Sequence, residues 1–211
     1  MGRDWVVIGA GGHGREVADV IRLLGGTVLG FLDDDPAKAG RFFGSHPVLG
    51  PLEWLRGGAG PLRVALGIGA SAMRLRVVER LRAFPRELCY PTLVHPGSQV
   101  GGSVFLGEGT LVQAGCVLTC DIRVGDFVVL NSGVSLAHDV EVGDFATLAP
   151  GARMAGNVTV GPCAEVGMGT LVIQGQALGA ACVTGAGSVV VRDVPPGKRV
   201  LGVPARIREL L

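Results

Sequence analysis

The chemistry open to this sequence is concentrated in four histidines and one glycine-rich turn. His138 stands in Leu136-Ala137-His138-Asp139-Val140, with a carboxylate as its next neighbour. An imidazole beside a carboxylate is the pairing a general base needs, because the carboxylate favours the imidazolium that forms on proton uptake. Neighbours on an extended strand point to opposite sides, so a plain surface pair is an equal reading of the same two residues. Asn131 lies one hexad before this segment and offers an amide. His13 sits inside Gly9-Ala10-Gly11-Gly12-His13-Gly14, where contact with a ligand phosphate or sugar and no ligand role are equal readings. His46, in the loop Gly44-Ser45-His46-Pro47, reads as a surface residue, and His95, in Val94-His95-Pro96, as a capping or packing residue. The five cysteines are odd in number and form no CxxC, so neither a disulfide framework nor a zinc site is expected. None stands next to a histidine, and no HExxH occurs, so a cysteine nucleophile and a metal centre are not expected.

These residues must be held by something, and the first ninety residues read as alternating strand and helix. Trp5 to Ile8 is a short apolar run. Val17, Val20, Ile21 and Leu24 then recur at helical spacing from Arg15 onward. Thr27 to Leu32 and Leu62 to Leu66 are further strands, and Ala72 to Ala83 a second helix. Alternation of this kind makes a parallel sheet, a small Rossmann-like α/β domain over residues 1–90. Gly9, Gly11 and Gly14 satisfy GxGxxG between strand and helix, with Asp33 nineteen residues further on. That context fits a turn whose amides receive a pyrophosphate at a helix N-terminus. A purely structural turn is the alternative, and His13 inside the loop is unusual for a nicotinamide site.

From Val100 the grammar changes to a period of six. Val100, Leu106, Val112, Leu118, Val124 and every sixth residue to Val190 form one column, in which fifteen of sixteen are Val, Leu or Met and the exception is Thr184. The next column is rich in Gly, Ala and Asn, and a period of eighteen is superposed in Gly107, Gly125, Gly143, Gly161 and Gly179. Each hexad is one short strand and a corner, and three hexads close a triangular coil. The aliphatic residue points inward, and the residue after it turns the corner, where glycine tolerates unusual φ. The expected fold of residues 97–211 is therefore an all-β left-handed parallel β-helix, a solenoid of hexapeptide repeats. A stack cannot end on bare apolar residues, so the tail from Arg192 to Lys198 reads as an exit turn and cap, and Arg199 to Arg206 as a short strand or hairpin.

Composition excludes several classes. A formal charge of +1 leaves no electrostatic footprint for nucleic acid or an anionic membrane. No uncharged apolar run reaches transmembrane length, and the chain opens directly on a strand, so no leader is expected and a cytoplasmic setting is the default.

Taken together, Ile8 to Gly14, Phe31-Leu32-Asp33-Asp34, Leu93-Val94-His95-Pro96, Leu130-Asn131-Ser132, His138-Asp139, Ala155-Gly156-Asn157-Val158 and Gly202-Val203-Pro204-Ala205 resemble one family over nearly the whole chain. It is that of the bacterial sugar O- or N-acetyltransferases of the sialic acid O-acetyltransferase group, and the pattern is most similar to enzymes acting on UDP-4-amino sugars. The resemblance implies a homotrimer of β-helices with acetyl-CoA as co-substrate in the cleft between neighbouring prisms. It makes His138 the general base, Asp139 its acidic partner and Asn131 a nearby amide. Gly11, Gly12, His13, Asp33, Asp34 and Gly69 correspond to nucleotide-sugar contacts. Thr147, Gly156, Met168 and Ala186 correspond to acetyl-CoA contacts, with the Gly156 amide as oxyanion donor. Thr147 stands where the bacillosamine-type group has a second histidine, Met168 replaces Ile and Ala186 replaces Gly, departures that bear on the sugar more than on the chemistry. The implied activity is N-acetylation of a nucleotide-linked amino sugar. Sugar O-acetylation by the same base is the alternative, and a non-catalytic scaffold a more distant one. An NAD-dependent oxidoreductase would leave the β-helix unexplained.

Overall fold

The computed structural model describes residues 4–58 and 60–208. Contacts divide them into two units, one of residues up to 69 together with 73–93, the other of residues 70–72 together with those from 94 onward.

The first unit is built on β1 (Asp4–Ile8), which pairs in parallel with β2 (Thr27–Leu32) on one side and β5 (Leu62–Leu66) on the other. Val6, Val7 and Ile8 are buried, as expected of a strand covered on both faces. Between them, α1 (Gly12–Leu23) buries Val17, Val20 and Ile21. It begins at the glycine turn, three residues earlier than its apolar spacing suggests, and Leu24 is its half-exposed C-cap and not part of the buried face. A hairpin of β3 (Phe42–Phe43) and β4 (His46–Gly50) extends the sheet beyond β2, and β6 (Leu88–Cys89) extends it beyond β5. His46 is therefore a strand residue, its ring edge-on to Phe31 at 6.1 Å, and not a loop residue. Pro47 and Gly50 hide this strand from a propensity reading. After β5 the chain enters α2 (Ser71–Leu81). Because β2 and β5 flank β1, the chain reverses direction across the sheet beside β1, and the crevice for a ligand opens at the C-terminal ends of these strands.

The second unit is a left-handed parallel β-helix of two-residue strands in three faces. The first face contains Leu111–Val112, Val129–Leu130, Thr147–Leu148, Glu165–Val166 and Val183–Thr184, the second Val117–Leu118, Ser135–Leu136, Arg153–Met154 and Leu171–Val172, and the third Arg123–Val124, Glu141–Val142 and Thr159–Val160. Each pairs with the strand eighteen residues on, as in Leu111 with Val129 and Ser135 with Arg153, except Val183–Thr184, which pairs with Arg199–Val200 sixteen residues on. The aliphatic column fills the interior, together with the column four residues on, which includes Cys116, Val128, Ala146 and Cys182. Each buried Val or Leu stabilises this stack by about 1.5–3 kcal/mol. Thr184, the exception in the column, is satisfied inside: its hydroxyl accepts the Gly167 amide at 2.9 Å and lies 3.0 Å from the Thr170 hydroxyl. The last strands, Arg199–Leu201 and Arg206–Ile207, form an antiparallel hairpin on the first face.

One expectation about the corners is corrected. The left-handed backbone lies three residues after the aliphatic position, at Asp121, Phe127, Asp139, Phe145 and Asn157 among others, and not at the glycine-rich position directly after it. Those glycines are required by close approach instead. A Cβ on Gly143 would lie 2.6 Å from the Pro162 nitrogen of the next coil, and one on Gly161 2.5 Å from the Ala180 nitrogen.

This distinction is testable. Gly143→Ala should destabilise the β-helix by about 1–3 kcal/mol, the usual cost of overpacking. Gly102→Ala, where nothing lies within 4 Å, should be near neutral. Denaturant unfolding of both variants measures the difference, and equal midpoints would refute the close-approach account.

Candidate active site

Three glycines of the first unit lock two loops together. A Cβ on Gly9 would lie 2.8 Å from the Gly67 carbonyl oxygen, one on Gly14 would strike the Gly9 carbonyl, and one on Gly67 would strike the Gly14 Cα. A Cβ on Gly11 or Gly69 would meet nothing within 4 Å, and one on Gly12 only the Arg15 guanidinium at 3.9 Å. The glycines of the turn and the β5 loop thus separate into packing residues (Gly9, Gly14, Gly67) and open ones (Gly11, Gly12, Gly69). Asp33 and Asp34 follow β2. Asp33 accepts the Ala10 amide at 2.9 Å, the Asp35 amide at 3.0 Å and Lys38 Nζ at 2.8 Å. Burial works to raise its carboxyl pKa, but Lys38 and these amides outweigh that and hold it below the usual carboxylate range. Asp34 is held low in the same way, burial being outweighed by the Leu52 amide at 3.0 Å and the Arg80 guanidinium at 2.7 Å. The sequence motif marks the position of Asp33 but not this service to the turn itself. Beside these carboxylates lies a cavity of about 190 Å³, lined by Gly9, Leu52, Ile68 and Met73. His13 Nδ1 lies 3.1 Å from the Glu16 carboxylate, while its buried Nε2 has no hydrogen-bond partner among the described residues.

In the β-helix, His138 and Asp139 occupy the edge between the second and third faces. Asp139 does not continue an extended strand. Its φ of +58° turns the backbone so that its carboxylate returns to the preceding ring, Oδ2 lying 2.8 Å from Nδ1. An ionised carboxylate only accepts, so Nδ1 carries the hydrogen in this pair, and in the neutral imidazole that leaves the lone pair on Nε2. The corner is suspended between coils: the Asp139 amide donates to the Cys120 carbonyl at 3.3 Å, and the Asn157 amide donates to the His138 carbonyl at 3.0 Å. Below the ring lies Gly156, where a Cβ would come within 2.5 Å of Nε2. The imidazole therefore rests against a bare backbone. Both side chains remain more than half exposed.

The remaining expected residues lie elsewhere on the same unit. Asn131 ends the Val129–Leu130 strand at the edge between the first and second faces and donates its amide to the Leu148 carbonyl at 2.9 Å. Met168 and Ala186 occupy that same edge one and two coils below Pro150, and Met168 is exposed. Thr147 projects from the first face, where its hydroxyl accepts the Ser71 hydroxyl at 3.1 Å, and Glu165, one coil on, accepts the Ser71 amide at 3.0 Å. One chain thus brings His138, Asp139 and Gly156 together at one edge and leaves Asn131, Met168 and Ala186 at another. Cys120, eighteen residues before His138, occupies the same edge one coil away, a neighbour that linear adjacency misses and the superposed period reveals. Cys116 and Cys182 are buried in the core, where burial pushes the Cys182 thiol up to about 11.

Comparison with known proteins places these features in context. Residues 4–81 match the family model of the PglD N-terminal domain. The chain is similar to UDP-N-acetylbacillosamine N-acetyltransferase of Bacillus subtilis (strain 168), with 33% identity over 111 residues; the match covers 51% of this chain and half of that protein's length. Its structure is similar to that of a point mutant of perosamine N-acetyltransferase from Caulobacter crescentus in complex with CoA and GDP-perosamine, with a TM-score of 0.91 and 35% identity over 98% of this chain and 97% of that one. It is likewise similar to the acetyltransferase domain of PglB from Neisseria gonorrhoeae FA1090 in complex with acetyl coenzyme A, with a TM-score of 0.90 and 31% identity over 99% and 100% of the two chains.

The carboxylate at the glycine turn yields a pH prediction. Asp33 is lowered in the folded state, so the stability it contributes is present above the unfolded carboxylate value of about 3.9 and is lost as pH falls through the lower folded value. Both tryptophans, Trp5 and Trp54, lie in the first unit, so their fluorescence reports its unfolding. Between about pH 6 and pH 3 the wild-type midpoint should fall more steeply than that of Asp33→Asn. Parallel pH slopes would show that the carboxylate does not hold the turn.

Proposed function

Since the chain belongs to the family of bacterial sugar N-acetyltransferases with a PglD N-terminal domain and a hexapeptide β-helix, we propose that it transfers the acetyl group of acetyl-CoA to the amine of a nucleotide-linked amino sugar. The observation that carries this reading is the His138–Asp139 pair at 2.8 Å, seated on Gly156 with Nε2 free to take a proton. The open Gly11, Gly12 and Gly69, together with His13, Asp33 and Asp34, receive the nucleotide sugar, which the UDP-4-amino-sugar pattern favours as a uridine diphosphate sugar. The free amine attacks the thioester carbonyl while His138 Nε2 removes its proton, and Asp139 steadies the resulting imidazolium. The oxyanion that forms accepts a hydrogen bond from the Gly156 amide, close to the ring. Collapse breaks the carbon–sulfur bond, and the CoA thiolate leaves and takes a proton, so no covalent enzyme intermediate is required.

The division of the expected acetyl-CoA residues between two edges supports assembly as a homotrimer. His138 and Gly156 lie a full hexad from Asn131, Met168 and Ala186, so both sets reach one thioester when a neighbouring copy brings its own edge alongside. No helix among the described residues is long and apolar enough to cross a membrane. Five free cysteines fit a reducing compartment, and we place the enzyme in the cytoplasm on that basis.

Release of free thiol from acetyl-CoA, followed with a panel of UDP- and GDP-linked amino sugars and their hydroxyl counterparts, tests the activity. Amino sugars should turn over. Turnover of only the hydroxyl compounds would make the enzyme an O-acetyltransferase, and no release with any acceptor would remove the reading. His138→Ala should lower the rate by ~10²–10⁴-fold with assembly unchanged, and Asp139→Asn should cost less. Wild-type turnover by His138→Ala would leave the mechanism without its base.

Light scattering tests the assembly, which should have three times the 21.6 kDa chain mass. A fully active monomer at micromolar concentration would eliminate the shared site.

A further inference from the structure

Phe43, on the β3–β4 hairpin, carries two cations: the Arg15 guanidinium lies 6.0 Å from the centroid of its ring and that of Arg41 5.8 Å. Arg56 over Phe84 and Arg63 over Trp5 show the ordinary use, one cation to a ring. Two positive groups gathered on one ring repel each other. Other cations of this unit meet carboxylates: Arg22 lies 3.6 Å from Asp19 and Lys38 2.8 Å from Asp33, while Arg80 bridges Asp34 and Glu53. Glu16, next to Arg15, is engaged by His13. Among the described residues neither Arg15 nor Arg41 has a carboxylate partner. Arg15 is also placed against the preference of its helix. It stands in the first turn of α1, where the axial dipole disfavours a cation, and no acidic residue shares that turn.

Both cations belong to the surroundings of the glycine turn. Helical side chains lean toward the N-terminus, so a residue covers the one three places before it. Arg15 Nη2 accordingly lies 3.9 Å from where a Cβ on Gly12 would stand. Phe43 stands edge-on to Phe31 at 6.2 Å, and the buried Phe31 ring would lie 3.7 Å from a Cβ on Gly14. Arg41 is held beside Phe43 by the backbone of the hairpin, its carbonyl accepting the Val48 amide at 2.8 Å.

We infer that Arg15 and Arg41 form the diphosphate subsite of the nucleotide-sugar crevice, with Phe43 as the platform between them. The inference rests on the nucleotide-sugar reading above and deepens it by naming the substrate class, a sugar joined to its nucleoside through two phosphates and not through one. Such a linkage carries one negative charge on each phosphate, which two guanidinium groups balance. Each guanidinium offers paired N–H donors that match phosphate oxygens. The subsite gives Gly12 a purpose, since a side chain there would stand between Arg15 and the turn. It also gives the β3–β4 hairpin a part in the site, as the element that delivers Arg41 and the ring.

The test uses the full-length protein, with Arg15→Gln, Arg41→Gln and the double variant, and Arg22→Gln as a charge control at the far end of α1. Calorimetry at fixed ionic strength measures the binding of UDP and GDP, and of UMP and GMP. Hydrogen bonds to charged groups are each worth roughly tenfold in an equilibrium. Each single variant should therefore weaken the preferred diphosphate by about tenfold and the double variant by about a hundredfold. Arg22→Gln should leave it unchanged. Arg15→Lys should recover part of the loss, because an ammonium keeps the charge without the fork. The preference for diphosphate over monophosphate should shrink in the double variant, a ratio that a mere loss of folded protein leaves as it was. In kinetics the loss should fall on KM for the nucleotide sugar and not on KM for acetyl-CoA. Should the variants fail to fold, the wild type still decides, since it must bind the diphosphate at least about tenfold more tightly than the monophosphate. Equal affinity of the wild type for both, or folded variants that bind UDP and GDP as the wild type does, overturns the inference. If the wild type binds none of the four nucleotides, the nucleotide-sugar reading falls and the subsite with it.

Discussion

The constraint on which the second unit depends is that each coil must lie directly on the next at the spacing of a β-ladder, about 4.8 Å. The backbone bonds that connect coils recur at every hexad, each spanning seventeen residues, as at Val129 to Ala146, Ser135 to Ala152 and Glu141 to Val158. That spacing leaves no room for a Cβ at positions such as Gly107, Gly143 and Gly161, and it compels a left-handed residue two places later to complete each corner. The His138–Asp139 pair is a use of this geometry. Asp139 occupies the left-handed position of its corner, a conformation that costs an L-residue about 1–2 kcal/mol. Ladder bonds on both sides of the corner offset that cost and return its carboxylate to the ring that precedes it. Gly156, one coil below, supplies the bare surface on which the imidazole lies. Imidazole, carboxylate and the Gly156 backbone are thus brought to one point by the rise of the coil.

The first unit reaches its site by a different device. Its loops are held by mutual contact of glycine backbones, with Gly9, Gly14 and Gly67 so close that each excludes a side chain on another. Such packing removes freedom from the loops, so the amides that remain exposed are presented without reorganisation when a ligand arrives. Asp33 completes the arrangement from β2 by receiving the Ala10 amide and Lys38, which joins the ends of two neighbouring strands through one carboxylate.

Much of this was legible in the sequence, for reasons that differ by unit. The hexapeptide column was plain because a solenoid repeats one environment, so a single physical demand is written sixteen times. The eighteen-residue glycines announced the coil as well. Their reason was not legible, since a glycine required by close approach and one required by positive φ look alike in a sequence. Phe127 and Phe145 show why: they stack at 5.2 Å in left-handed backbone, where bulky residues are rare, because the ladder on either side overrules their local preference. The pairing of His138 with Asp139 was ambiguous while the two were read as strand neighbours, and the corner resolves it. In the first unit the glycine motif was readable, but the burial of Arg74 in α2 was not, because a lone arginine in an amphipathic helix carries no mark of it. Nor was the β3–β4 hairpin, since β3 has only two residues and β4 carries Pro47 and Gly50.

The distribution of chemistry over the prism follows from the same constraint. Residues on the faces alternate between the core and the outside, and the inward ones are committed to packing. Edges carry consecutive residues with outward side chains, so only there can a base, its partner and a donor stand together. A triangular coil has three such edges, separated by whole faces, and none by itself encloses a substrate. His138 and Asp139 accordingly remain more than half exposed in the single chain. As the base proposed for acyl transfer, His138 would be solvated in this state and poorly matched to a reaction that gains from a dry site. Covering it requires a surface that the prism cannot fold onto itself, because its ladder admits no bend sharp enough to bring two of its own edges together. A neighbouring copy presents such a surface without any new element of structure. On this argument the proposed homotrimer would answer to the same rigidity that makes the edge a good platform for the proposed base.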